Sequence, residues 1–99
     1  MAIAEVSVVP IGTAKTSVSE YVAGAVSVLK ESGLKSKLTP MGTILEGDIK
    51  EVLEVIARMH ETPFNKKAER VYTTIKIDDR RDIKVEMDNK VKSVMEKLS

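Results

Sequence analysis

From Ile3 to Val9 the chain roughly alternates, with Ala4, Val6 and Val8 on one face and Ile3, Glu5, Ser7 and Val9 on the other. β-Branched types in a two-residue period predict a first strand, which Pro10 is expected to end. The period then becomes helical: Val18, Tyr21, Val22, Ala25 and Leu29 share a face, Ser17 and Glu20 form a capping-box pair, and Gly33 supplies a stop. Lys35–Thr39 and Thr43–Glu46 flank a short connection and predict an antiparallel hairpin. Asp48, with Glu51 three residues on, caps a second helix whose stripe is Ile49, Val52, Leu53, Ile56 and Met59, closed by Thr62 and Pro63. Arg70–Asp78 alternates again, Val71, Thr73, Ile75 and Ile77 against Tyr72, Thr74, Lys76 and Asp78. Asp82 is then the expected N-cap of a third helix, striped by Ile83, Met87, Val91, Val94, Met95 and Leu98.

The element order is β, α, β, β, α, β, α. This predicts an α+β class: a ferredoxin-like βαββαβ sandwich with a four-stranded antiparallel sheet and an additional C-terminal helix. Right-handed crossovers put the first two helices on one face of the sheet and leave the other open. Ile3, Val9 and Tyr72 then lie on the open face beside Glu5, Ser7, Thr74 and Lys76. So large a half-apolar surface calls for a cover, either the third helix or a second subunit.

Length fits one domain over residues 1–99, which buries roughly 65% of its unfolded surface. Lys and Arg number 16 against 15 Asp and Glu, and Phe64, Tyr21 and Tyr72 are the only aromatic rings besides His60. Neither a basic stripe nor a set of stacking aromatics is present, which argues against a nucleic-acid partner. Without cysteine the chain has no disulfide, thiolate metal site or cysteine nucleophile. The N-terminal apolar run carries Glu5 and no basic leader, and no run reaches the roughly 18 residues of a membrane helix. A cytoplasmic location without membrane attachment is expected.

No catalytic constellation emerges. His60, the single histidine, has no evident partner in sequence and sits where a cation suits a helix C-terminus. Positions 56 and 64 are Ile and Phe, so no i, i+4 zinc pair forms around it. The glycines at 12, 24, 33, 42 and 47 are singletons, which excludes the glycine-rich phosphate loops. The run Asp78–Asp82 reads as caps and solvated ion pairs, and Lys84, Glu86, Asp88, Lys90 and Lys92 as the wet face of the third helix. No catalytic residue, metal or cofactor is expected. The stretch TPMGTILEG from Thr39 to Gly47 is different, because a hairpin needs its Pro and Gly but not its surplus Thr39, Thr43 and Glu46. Glu5 and Glu46 lie within strand patterns, where a covered carboxylate requires a cation or hydrogen-bond donors.

Several segments in order resemble the thiamine-binding protein family: VVPIGT at 8–13, SVSEYVA at 17–23, PMGTILEG at 40–47, MHE at 59–61 and RVYTTIKIDDRRD at 70–82. The resemblance spans nearly the whole chain. It implies a non-enzymatic ferredoxin-like subunit that pairs through its sheets into homodimers, often dimers of dimers. It also implies a pocket near an interface for thiamine or its hydroxymethylpyrimidine moiety. On that resemblance Ser7, Thr39, Thr43 and Glu46 are the candidate pocket residues, with Met41, Arg70 and Tyr72 as candidate walls. A Glu and two Thr hydroxyls supply the acceptor and donors that an aminopyrimidine needs, and the missing phosphate loop favours the unphosphorylated form. The competing expectation is an oligomeric regulatory or interaction module controlled by a small effector.

Overall fold

The computed structural model describes residues 1–13, 19–83 and 86–98. Its elements follow the expected order: β1 (Ala2–Ile11), α1 (Ser19–Ser32), β2 (Lys35–Thr39), β3 (Gly42–Gly47), α2 (Ile49–Asn65), β4 (Arg70–Asp79) and α3 (Met87–Leu98). The strands form one antiparallel sheet in the order β2-β3-β1-β4. The expected cap at Ser17 and the helix residue Lys84 lie outside the described residues.

The alternation of β1 sets the layers. Ala4 and Val6 are buried beneath α1 and α2 with Leu45 of β3, Ala25 and Leu29 of α1, and Val52, Val55, Ile56 and Met59 of α2. Full burial of each Val, Leu, Ile or Met side chain in this set is worth about 1.5–3 kcal/mol. Leu53 was expected in the stripe of α2 but is exposed, and Val55 is buried in its place. The buried set 52, 55, 56, 59 and 63 follows the i, i+3, i+4, i+7 rule, and position 53 is rotated about 100° off Val52.

Two prolines do not end their elements as expected. β1 continues through Pro10, which faces Val71 of β4, to Ile11. Helix α2 continues through Pro63 to Asn65. A helical proline leaves the carbonyl four residues earlier without its N–H partner. Here the Thr62 hydroxyl donates to that carbonyl, Met59 O, at 2.7 Å.

Helix α3 departs most from the sequence expectation. It begins at Met87, not after Asp82, and Asp82 is instead held by Arg80 at 2.6 Å. Its N-terminal cap comes from the sheet: the Met87 N–H donates to Glu46 Oε2 at 3.0 Å. Lys35 lies 3.5 Å from the other Glu46 oxygen and 2.5 Å from Asp88, which Lys37 also contacts. Lys90 pairs with Asp78 on β4. The first turn of α3 is thus clamped over the open face, but Val91, Val94, Met95 and Leu98 beyond it stay exposed.

Hydrogen bonds from Lys35 and then Lys37 hold the Asp88 carboxyl at about 2, below its ordinary 3.8. A carboxyl depressed in the folded state stabilises that state above its ordinary value and ceases to do so as pH falls through the folded value. The anchoring of α3 by this cluster is therefore intact above about pH 4 and lost on acidification toward pH 2. The protection factors of the α3 amides, exchange rates corrected for their intrinsic pH dependence, should fall from pH 5 to pH 2 in the parent chain, and Asp88→Asn should remove most of that dependence.

Candidate functional site

A broad cleft in the described structure arises from unequal strand pairing. All ten residues of β1 pair with β4, but only Ala2–Val6 pair with β3. Beyond Val6 the β2–β3 hairpin turns back at Thr39–Gly42, so among the described residues β1 runs on with one edge unpaired, and α1 lies against it. The resulting cleft has a volume of ≈ 1190 Å³, larger than the roughly 300–1,000 Å³ usual for small-molecule sites. Its floor is Val6–Val9, one wall is the hairpin tip, and the other is α1 through Val22, Val26, Ser27 and Lys30.

Of the seven residues expected from sequence, the fold brings Ser7, Thr39, Met41 and Thr43 onto this lining. Thr43 is 6% exposed, at the buried end of the cleft, and Met41 stands free at the tip. The Thr39 hydroxyl donates to Gly42 O at 2.8 Å and accepts from the Met41 and Gly42 N–H groups at 3.3 and 3.1 Å. One donor and two lone pairs are all a threonine hydroxyl has, so that side chain is committed to the turn. Thr43, which shares the helix side of the sheet with Val6, is the hydroxyl left for a ligand at this end, whereas the Ser7 side chain belongs to the opposite face of β1.

Glu46, Arg70 and Tyr72 are not part of the cleft. Glu46 projects from the opposite face of β3, where it is 5% exposed and caps α3. Arg70 and Tyr72 lie across from Ile11 and Val9 on β4, on the open side of the sheet. The surplus carboxylate of the hairpin thus has a structural partner that sequence could not show, a helix end 41 residues away. Glu5 is likewise satisfied across the sheet, 3.9 Å from Lys76.

The wall from α1 was the part missed in the sequence. A signal existed: Val22 and Val26 are apolar positions on a helix that buries only Ala25 and Leu29. A stripe wider than its buried core implies a second apolar surface, here the cleft. Lys30 and Glu31 mark the mouth, and Arg58 lies 3.7 Å from Glu31. His60 is elsewhere, with its Nδ1 2.7 Å from the Thr73 hydroxyl and its ring edge-on to Phe64. Among the described residues no cluster of His, Asp and Glu has the arrangement of a metal site. No helix among them is long and apolar enough to cross a membrane.

The family model of the thiamine-binding proteins matches residues 4–95. This chain belongs to the thiamine-binding protein family. Within the family it is 46% identical over 102 residues to the UPF0045 protein YqgV of Bacillus subtilis, covering 99% of this chain and 98% of the relative. The crystal structure of hypothetical protein MJ1052 from Methanocaldococcus jannaschii superposes with a TM-score of 0.88 at 40% identity, covering 96% of each chain. A Thermotoga maritima protein proposed to act in thiamine biosynthesis or salvage superposes with a TM-score of 0.79, covering 94% of this chain and 97% of that one. At 19% identity that last likeness is one of fold. In this thiamine-binding family member the open edge of β1, the hairpin tip and α1 all fall within the matched residues.

Proposed function

We propose that this protein binds thiamine or its hydroxymethylpyrimidine moiety in the cleft between α1 and the hairpin tip, without catalysing a reaction on it. The observation that carries this reading is the cleft itself, apolar along Val6, Val8, Val22 and Val26 with the Thr43 hydroxyl at its buried end, in a member of the thiamine-binding protein family. Micromolar affinity corresponds to about −8 kcal/mol, and an exposed ion pair gives at most about 1 kcal/mol of it. Ring burial against the valines and desolvated hydrogen bonds must supply the rest. Glu31 is the carboxylate on the wall that faces a thiazolium cation, and its exposure keeps its share small.

The functional unit in this reading is a homo-oligomer, a dimer or a dimer of dimers, with a second copy over the open face. That places the cleft, whose lining includes Ser7 and Val9 of that face, beside a subunit boundary. The exposed stripe of α3 also favours a second reading, an assembly that regulates a partner protein with the small molecule as effector.

Isothermal titration of the purified protein with thiamine and with hydroxymethylpyrimidine tests the leading reading. Saturable heat is expected for at least one of them. Val22→Trp, which puts an indole into the cleft from the half-buried face of α1, should weaken that binding about tenfold or more, some 1.4 kcal/mol, with little change in Tm. No heat at millimolar ligand would remove the reading.

A further inference from the structure

The cleft floor is a sheet edge, and its polarity can be worked out residue by residue. The position a side-chain carbon would occupy at Gly42 lies 3.0 Å from Val6 O, so the Val6 carbonyl points toward β3. In an antiparallel ladder the N–H and C=O of one residue point to the same side, and successive residues alternate sides. Ser7, Val9 and Ile11 therefore direct their main-chain groups to β4, with which they are in register. Val8 and Pro10 direct theirs the other way, past the end of β3, and among the described residues no strand meets them there. This also explains why Pro10 sits inside a ten-residue strand: its missing N–H falls on the edge that has no ladder to break.

The open edge thus offers one N–H, that of Val8, with the Val8 carbonyl beside it and the Pro10 carbonyl beyond. A peptide strand adding to an edge needs N–H groups at every second residue, and Pro10 denies it the next one. A flat heterocycle needs only one donor next to one acceptor. We infer that the main chain of Val8 is the recognition element for the aminopyrimidine edge, its N–H donating to a ring nitrogen and its C=O accepting from the exocyclic amine. The ring then lies between the hairpin tip and the valines of α1, and specificity for the 4-amino group resides in backbone atoms, not in Glu46. This rests on the reading of the cleft as the pyrimidine site.

Amide hydrogen exchange on uniformly 15N-labelled protein, with and without hydroxymethylpyrimidine, tests it alongside calorimetry. Saturating ligand is expected to slow exchange at Val8 at least tenfold and to leave Ser7 and Val9, already paired to β4, within about twofold. The 4-dimethylamino analogue, which keeps the ring but has no amine hydrogen, is expected to bind at least tenfold more weakly. Calorimetric binding with an unchanged Val8 amide, or with equal affinity for the analogue, overturns the inference and leaves the cleft reading standing. Absence of any heat overturns both.

Discussion

A chain carrying Val94→Glu and Met95→Glu is expected to run as a monomer at micromolar concentration, where the parent runs as a dimer or larger. Both side chains lie on the apolar stripe of α3 and are 58% and 60% exposed, so most of their surface is still available for burial. Burying one such residue fully is worth about 1.5–3 kcal/mol, and a twofold interface contains each position twice. Loss of the part still exposed comes to roughly 4–7 kcal/mol over the pair, several orders of magnitude in the dissociation constant, before any cost of bringing carboxylates together. Substitution at exposed sites should alter the stability of the protomer by less than about 0.5 kcal/mol. Light scattering and sedimentation separate the outcomes. A parent that is monomeric, or a variant that remains dimeric, would contradict the assembly placed on this face.

Glu46→Leu is expected to lower stability by about 1.5–3 kcal/mol, the range for a hydrogen bond to a charged group, and hence Tm by roughly 6–24 °C in a domain of this size. The Met87 N–H loses its acceptor and Lys35 loses one of its carboxylates. Glu46→Gln should cost less, because an amide oxygen still accepts from Met87. Both variants should bind hydroxymethylpyrimidine within about twofold of the parent when assayed well below their unfolding temperatures, since Glu46 faces away from the cleft. A Glu46→Gln protein with unchanged Tm and no binding would return the ligand to the other face of β3.

What was readable in the chain is what depends on neighbours in sequence. The two-residue period of β1, the alternation on either side of Pro40 and the Asp48 cap each have local causes, and each element formed where those causes placed it. The Asp48 carboxylate accepts from the Lys50 N–H at 3.3 Å, within its own helix turn. The start of α3 was not readable because its cap is Glu46, supplied from a strand 41 residues earlier. Pro10 and Pro63 were misleading for the same kind of reason. One is tolerated by an edge that β3 leaves bare, the other by the Thr62 hydroxyl that replaces the lost bond. In the candidate site the hairpin wall was visible as surplus polar residues, whereas the wall from α1 could be found only by comparing its apolar width with what it buries.

The pairing of β1 along its full length with β4 also bears on how the chain acquires its fold. β1 finds its longest partner in β4, so the register Ala2↔Asp79 through Ile11↔Arg70 closes only once every element between them has been synthesised. Contacts so distant in sequence slow folding, because a long loop must close before they are rewarded. A nascent chain halted after α2 would carry a β-branched segment with one side unmated, prone to pair with its neighbours on a polysome. Pro10 at one end and Glu5 in the middle are the kind of residues that discourage such mispairing.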